Sequence, residues 1–337
     1  MPSNPLSFAC AVEALKAVAE PTRLRMAMLL SKNDLTVTDL TSILNQSQPR
    51  VSRHLRLLTE AGIVDRYREG AWAYFHLTDE GGPGRMIRAL LARLEEGDPL
   101  IVEDNERLAE VRRQRAARAA AYFAKNAASW DEIRLLHAPD ADVEAALLRL
   151  LGDRRIGAML DIGTGTGRLL EVLAPQCERA LGVDASREML AIARAKLDEA
   201  QLVNATVRQG DAYHLPVEEG SFDLVTIHQV LHHLDDPASA ILEATAALRR
   251  GGRLAIVDFA PHDLEFLREE HAHLRLGFPA DLVRGYLDAA GLDVTAIETV
   301  EPGGHGADQI TVTIWLARKT RPLAEVAQRS AELAATL

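Results

Sequence analysis

The sequence predicts a chain in two parts. An α+β helix-turn-helix module with a β-hairpin behind it is joined by helices to an α/β, doubly wound domain. Three features carry that prediction. A capped helix pair with a basic second helix and a hairpin occupies Leu40–Leu77. A glycine loop, MLDIGTGTG at Met159–Gly167, lies between a strand pattern and a helix pattern. From Val143 onward, strand and helix patterns alternate.

Composition sets the frame. With 337 residues, 47% hydrophobic and 26% charged, the chain has room for two folded domains and a helical connector. The expected divisions are 1–82, a connecting and dimerising segment 83–118, 119–320, and a tail 321–337, with Gly81-Gly82-Pro83-Gly84 marking the first edge. No apolar run approaches the roughly 18 residues of a membrane span. The opening MPSNPLSFAC lacks a basic start followed by an apolar core, so neither a membrane span nor a signal peptide is expected. Cys10 and Cys177 fall in different blocks, which gives no disulfide framework and fits a cytoplasmic location. The net charge of −11 is unevenly spread: residues 1–82 hold nine Lys/Arg and nine Asp/Glu, and the remainder holds 29 and 40. A local basic footprint decides phosphate contact, and Arg50, Arg53, Arg56, Arg66 and Arg68 lie close together in the balanced part.

The first elements follow from spacing and punctuation. Phe8–Ala19 has helical apolar spacing, and Pro21 suits the first turn of a helix Pro21–Leu30. Thr36 caps a helix Val37–Leu44, with Asp39 in capping-box position. Asn45-Gln46 breaks that helix. Ser47 caps the next, Gln48–Ala61, and Gly62 stops it. Ile63–Tyr67 and Trp72–Leu77 alternate around Arg68-Glu69-Gly70 and read as a hairpin. Met86–Leu94 is an apolar helix. Glu103–Ala128 is a long helix whose arginines, 107, 112, 113, 115 and 118, read as a solvated face or, alternatively, as a second contact to DNA or to the acidic domain.

Strands are expected at Ala158–Ile162, Ala180–Val183, Ala205–Gln209, Leu224–Ile227, Arg253–Phe259, Asp293–Thr299 and Ile310–Leu316, with helices between most of them. That alternation implies a mainly parallel sheet. The last two strands have no helix between them, so an antiparallel hairpin at the sheet's edge is expected. Residues after Thr320 read as a loose terminal helix.

In Gln48–Ala61, Val51, Leu55 and Leu58 share one face and should pack inward. Gln48, Arg50, Ser52, Arg53 and Arg56 project elsewhere. Such a helix fits the major groove with its N-terminal residues at base edges. Gln48 suits adenine and arginine suits guanine, or either touches phosphate. His54 suits a half-buried packing role as well as a contact. Arg66, Arg68 and Trp72 would lie along a wing beside the backbone.

These stretches, ALKAVAEPTRLRMAMLL and SQPRVSRHLRLLTEAGIVDRYREGAWAYFHL, resemble the ArsR/SmtB family of winged-helix repressors over about residues 10–80. The resemblance implies a homodimer on an inverted-repeat DNA operator, released when an effector binds. Many members carry a Cys-x-Cys metal site before the reading helix. This chain has Thr36-Val37-Thr38 there, and hydroxyls are poor ligands for thiophilic ions, so no metal is expected. Cys10 reads as a plain buried thiol.

The glycine loop has its own chemistry. Asp161-x-Gly163-x-Gly165-x-Gly167 lets the backbone turn tightly and a ligand approach closely. The dinucleotide fingerprint G-x-G-x-x-G would need glycine at 168, where Arg168 stands. Asp161 at the start of the loop suits a cationic amino acid moiety better than phosphate. Asp184 ends the second strand, 17 residues after Gly167, where a carboxylate accepts ribose hydroxyls. Asp211 ends the third and accepts from an adenine amino group. Three carboxylates at three strand ends line the switch point of such a sheet.

This set, with LDIGTGTGRLLEVLA, GVDASREMLAIARAKL, RQGDAYHLPVEEGSFDLVTIHQVLHHLDDP and ALRRGGRLAIVDFAPH, resembles the class I S-adenosylmethionine (SAM) dependent methyltransferases of Rossmann-like fold. The nearest are those of ubiquinone and menaquinone biosynthesis, over about 120–318. The resemblance implies that Gly163, Gly165 and Gly167 back the cofactor and that Asp161 reaches its amino group through water. It places Asp184 and Ala185 at the ribose, Met189 near the adenine, Asp211 and Ala212 at the adenine edge, and His228 by the methyl group. Tyr122-Phe123 lie where such enzymes cover SAM.

Methyl transfer is an in-line displacement, so positioning supplies most of the help. If a base is needed, His228, His232, His233 and His262 are the candidates, with Asp258, His271 and His273 nearby. A metal site from His262, Asp263, His271 and His273 is disfavoured, because His271 and His273 diverge if they lie on a helix. Arsenic methylation normally needs several cysteines, and only Cys177 lies in this part. The expected function is a repressor controlled by SAM or S-adenosylhomocysteine (SAH), serving methionine or SAM-cycle genes. The alternative is a working small-molecule methyltransferase with an autoregulatory DNA-binding module. An NAD-type redox regulator is the third reading.

Overall fold

The computed structural model describes residues 6–31, 33, 35–69, 72–78, 82–95, 97–130, 140–153, 155–302 and 310–320; the side chains of residues 67–69, 72, 116, 118 and 140 are outside the description. The expected tail 321–337, with its terminal helix, lies outside the described residues, as do the side chains of Arg68, Trp72 and Arg118. The chain divides into two compact units, one spanning Met1–Ala117 and the other beginning at Arg118.

The first unit runs α1 (Phe8–Val18), α2 (Pro21–Leu30), β1 (Leu35–Thr36), α3 (Val37–Leu44), α4 (Gln48–Glu60), β2 (Val64–Glu69), β3 (Trp72–Leu77), α5 (Gly82–Leu91) and the start of α6 (Pro99–Asn126). Its sheet has the order β1-β3-β2 and is antiparallel throughout. The sequence reading had the hairpin but not the two-residue strand β1, which is too short to show a period. Val51, Leu55 and Leu58 are buried as expected, with Leu40, Ile43, Ile63 and Leu77. Each such side chain contributes about 1.5–3 kcal/mol when fully buried.

The caps decide where the helix pair begins. At α3 the full capping box forms: Asp39 N donates to Thr36 Oγ1 at 3.2 Å, and Thr36 N donates to Asp39 Oδ2 at 2.9 Å. Thr36 Oγ1 also donates to Asp39 Oδ2 at 2.7 Å. At α4 the expected serine cap is absent, since Ser47 makes no side-chain cap bond. Pro49 in the first turn presets the backbone instead, and Arg50 N and Val51 N donate to Ser47 O at 3.0 and 3.1 Å. Gly62, at φ +66°, ends the helix as expected.

The arginines of α6 are not simply a solvated face. Arg25 of α2 forms a two-pronged ion pair with Asp104, whose side chain is buried. Arg107 donates to Ile43 O at 3.1 Å, Arg112 to Asn33 Oδ1 at 2.6 Å, and Arg115 pairs with Asp39. Among the described arginines of this stretch, only Arg113, paired with Glu110 in solvent, behaves as a solvated face. Cys10 is exposed, not buried, because it lies on the open side of α1.

The second unit contains a seven-stranded sheet of β4 (Ile156–Ile162), β5 (Cys177–Asp184), β6 (Ala205–Gln209), β7 (Phe222–His228), β8 (Leu248–Phe259), β9 (Leu292–Val300) and β10 (Val312–Lys319). The order is β6-β5-β4-β7-β8-β10-β9. The first five are parallel; β10 runs antiparallel to both β8 and β9. The expected hairpin therefore exists, but the last strand slots inside it and β9 becomes the edge. Burial explains that order: β10 is buried along almost its whole length, whereas β9 is largely half-exposed. Apolar clusters occupy both faces of the sheet. The chain reverses direction across the sheet between β4 and β7, which opens a crevice at the C-terminal ends of these strands.

Candidate functional site

Two sites were expected, one in each unit. In the first, Gln48, Arg50, Ser52, Arg53 and Arg56 of α4 and Arg66 of β2 are all exposed. Arg56 stands 3.7 Å from Glu60 across an exposed turn, a pairing worth only a few tenths of a kcal/mol. His54 is half-buried, with Nδ1 3.8 Å from Glu20, and burial lowers its pKa. The polar stripe of α4 is thus an open cationic face backed by an apolar one. Thr36 and Thr38, which stand where a metal-sensing relative would carry thiolates, have other work at 36: the Thr36 hydroxyl is committed to the capping box.

In the second unit the glycine loop leaves β4 and enters the helix Arg168–Leu173. Gly163, Gly165 and Gly167 all have positive φ, at +69°, +53° and +85°. A methyl group at 163 would lie 2.4 Å from Val230 Cγ2, and one at 165 would lie 3.5 Å from Trp130 Nε1. The loop is held to the next strand by Gly163 N and Thr164 N donating to Val183 O at 2.8 and 3.0 Å. Arg168, which breaks the dinucleotide fingerprint, makes a two-pronged pair with Glu144 at 2.7 Å.

The three expected carboxylates stand at consecutive strand ends but in different surroundings. Asp161 is buried, accepts from Thr226 Oγ1 at 2.6 Å, and is pushed up to about 6 by burial. Asp184 accepts from Gly165 N and from Ser186 N, both at 2.8 Å, and burial raises its pKa. One carboxylate therefore ties the glycine loop to the start of the next helix. Asp211 is exposed and accepts from Tyr213 N at 3.0 Å. Ala185 is exposed, Ala212 half-buried, and Met189 buried in the helix Arg187–Glu199.

The histidines divide. His228 ends β7, half-buried, beside Val257 of β8. His232 is buried, and its Nδ1 lies 2.7 Å from Asp258 Oδ1. His233 Nδ1 lies 3.1 Å from Ala272 O. His262 Nδ1 accepts from Leu264 N at 3.3 Å. Burial lowers His262 to about 4 and lowers His233 and His273 well below the usual range, with His232 adding to it. The His232–Asp258 pair has the orientation of a general base held by a carboxylate. His271 and His273 follow the end of the helix Phe266–Glu270, so the objection that they diverge along a helix does not hold.

Aromatic side chains border this group. Tyr122 Oη lies 2.8 Å from His271 Nδ1, and burial raises the phenol to about 12. Phe123 meets His233 edge-on at 4.9 Å. Trp130 packs on both Tyr122 and Phe123 and was missed by the sequence reading, where it was a lone aromatic after a helix. Gln229 was missed too. It takes φ +54°, uncommon for a side chain of that kind, so that its N–H reaches Val257 O at 2.7 Å. Thr226, a hydroxyl inside the apolar run FDLVTIH, was the legible signal of a buried partner for Asp161.

Comparison with known proteins agrees with both halves. Residues 160–256 match the family described as Methyltransferase domain, and residues 20–66 match Bacterial regulatory protein, arsR family. The uncharacterized methyltransferase YcgJ of Bacillus subtilis is 32% identical over 143 residues, 42% of this chain and 55% of that protein. The arsenical resistance operon repressor of Escherichia coli is 40% identical over 74 residues, 22% of this chain and 63% of that protein. The chain spans about half the length of the curated relatives it matches. In the solved complex of the Haloferax volcanii Trm112 methyltransferase activator with an assigned methyltransferase, one chain superposes with TM-score 0.50 at 20% identity. It covers 59% of this chain and 98% of its own, a likeness of fold. The chain thus joins an ArsR-type winged helix to a Rossmann-like domain of the class I methyltransferase type.

Proposed function

We propose that the chain is a transcriptional repressor whose affinity for DNA is set by SAM or SAH in its second unit. The observation that carries this reading is the build of the loop around Asp161 and Asp184. A buried carboxylate with a raised pKa is costly alone and is relieved by a cationic group, such as the ammonium of the amino acid moiety. Asp184, tied to the same loop, presents its remaining lone pairs to ribose hydroxyls, and Met189, Asp211 and Ala212 border the adenine. No step of chemistry is required for this use of the site.

The response needs a route to the reading helix. Helix α6 carries Arg115, paired with the capping-box residue Asp39, and two turns later Tyr122, bonded to His271. Ligand-dependent movement of the aromatic side chains would therefore be felt by the helix that braces α3. A coupling of about 1–3 kcal/mol gives a 5- to 150-fold change in DNA affinity. Gln48, Arg50, Ser52, Arg53, Arg56, Arg66 and Arg68 are the proposed DNA contacts. In a homodimer on an inverted repeat, the two reading helices stand about 34 Å apart. The exposed apolar side chains Phe8, Leu15, Leu90, Leu100 and Val102, all in the first unit, fit the dimer face. No helix among the described residues is long and apolar enough to cross a membrane, and a cytoplasmic location fits this role. Methionine and SAM-cycle genes are the proposed targets.

The His232–Asp258 pair favours a second reading, an active methyltransferase that regulates its own operon. Calorimetric titration with SAM and SAH, followed by gel shift on the DNA upstream of the coding sequence, tests the first reading. Transfer of labelled methyl from SAM to cell extract tests the second. Ligand binding that leaves the gel shift unchanged would sink the repressor reading and leave the enzyme.

A further inference from the structure

We propose that His232, His233 and His273 form a site for one divalent transition metal ion, with zinc as the fitting ion. Each residue offers one ring nitrogen, and the three nitrogens lie within 4.8 Å of one another. On a tetrahedral zinc with Zn–N of about 2.1 Å, neighbouring nitrogens lie about 3.4 Å apart. A closing movement of up to about 1.4 Å seats the ion.

The hydrogen bonds around the cluster fix which nitrogens are left for a metal. Asp258 Oδ1 lies 2.7 Å from His232 Nδ1 and only accepts, so Nδ1 carries the proton and Nε2 keeps its lone pair. The Ala272 carbonyl, 3.1 Å from His233 Nδ1, does the same for His233. Metal-binding histidines are oriented in this way, by a carboxylate or a carbonyl on the far nitrogen. His233 Nε2 and His273 Nδ1 are buried and have no hydrogen-bond partner. A buried polar atom left unpaired is costly, and a metal ion between the rings would satisfy both. The rings crowd together, with centroids 4.0 Å apart for His232–His233 and 4.2 Å for His232–His273.

The backbone is shaped to the same end. Ala272 takes φ +56°, a conformation alanine rarely adopts, and its carbonyl serves His233. Leu274 N and Arg275 N both donate to His232 O, at 2.9 and 3.1 Å, so the two segments that carry the ligands are stitched together. Phe259 stacks on His273 with centroids 5.8 Å apart, and Phe123 closes on His233. An all-imidazole set suits zinc, copper, nickel or iron. Three protein nitrogens leave a fourth position open, the pattern of zinc sites that take up a water or a ligand.

The test uses the full chain stripped with a chelator and then titrated with Co(II), read by visible ligand-field absorption, and with Zn(II), read by metal retained after gel filtration. The expected result is one ion per chain with tetrahedral Co(II) bands. His233→Ala and His273→Ala should each abolish retention, and Asp258→Asn should weaken it about 10- to 100-fold. Circular dichroism should confirm that the variants fold. Absent bands with no retained zinc would overturn the proposal. So would retention unchanged in both alanine variants, since the ion would then sit on other histidines. Should a variant fail to fold, hydrogen exchange of the natural chain decides: zinc should slow exchange at residues 271–275, and an unchanged rate would refute the site.

Discussion

Replacing Gly163 by alanine tests the cofactor loop most sharply, because a matched control exists in the same unit. Gly163 has φ +69°, and an added methyl would lie 2.4 Å from Val230 Cγ2 and 2.9 Å from Val230 Cγ1. Gly220 has φ +67°, with no atom within 4 Å of the same methyl. Both substitutions incur the left-handed penalty of about 1–2 kcal/mol. Only Gly163→Ala adds overpacking, about 1–3 kcal/mol. The expected totals are about 2–5 kcal/mol for Gly163→Ala and about 1–2 kcal/mol for Gly220→Ala. In a domain of this size each kcal/mol lowers Tm by about 2–4 °C. Urea and thermal unfolding of each variant give the comparison, and calorimetry gives SAH affinity at a temperature where both are folded. Gly163→Ala should be the less stable and the poorer binder. Equal stability of the two variants would refute the packing argument, and unchanged SAH affinity in Gly163→Ala would remove the loop from the binding site.

Other outcomes follow from the same structure. Asp161 is pushed up to about 6 in the fold against 3.8 as a free group, so between those values the folded state binds the extra proton. The unfolding free energy should therefore fall by about 2 kcal/mol as pH rises from 4 to 7. Asp161→Asn should flatten that slope in ligand-free urea titrations, and an unaltered slope would count against the assignment. Arg25→Ala should destabilise the first unit by about 3–5 kcal/mol by stranding buried Asp104, with the Arg25→Ala/Asp104→Leu double variant recovering much of it in chemical unfolding; additive losses would contradict this. Arg53→Ala should weaken DNA binding and, if the contact is to phosphate, lower the salt slope by about one. Leu15→Glu should shift the chain toward monomer in sedimentation, and an unmoved dimer would place the interface elsewhere.

Much of this molecule was legible in its sequence, and the exceptions have physical causes. The glycine loop, the carboxylates at 161, 184 and 211 and the Thr36–Asp39 capping box announce themselves through local chemistry, so spacing alone located them. The apolar stripe Val51, Leu55 and Leu58 was equally plain. Features that depend on distant partners were not. β1 is two residues long and exists only because β3 pairs with it. β10 lies inside β9 because its burial is a property of the whole sheet. Ser47 has the right chemistry for a cap, yet Pro49 and the backbone do the work. Arg107, Arg112 and Arg115 look like a solvated stripe until their partners at Ile43, Asn33 and Asp39 are seen. The histidine cluster brings residues 232–233 beside 273 through a chain reversal no local pattern encodes, and its tautomers depend on Asp258 and Ala272.

Fluorescence anisotropy of labelled upstream DNA, titrated with the full chain with and without saturating SAH or SAM, addresses the central claim directly. One of the two ligands should change the DNA dissociation constant 5- to 150-fold, and DNA should change that ligand's affinity by the same factor. Asp184→Ala should erase the difference while leaving ligand-free DNA binding intact. Identical DNA affinity with and without bound SAH and SAM would contradict the account.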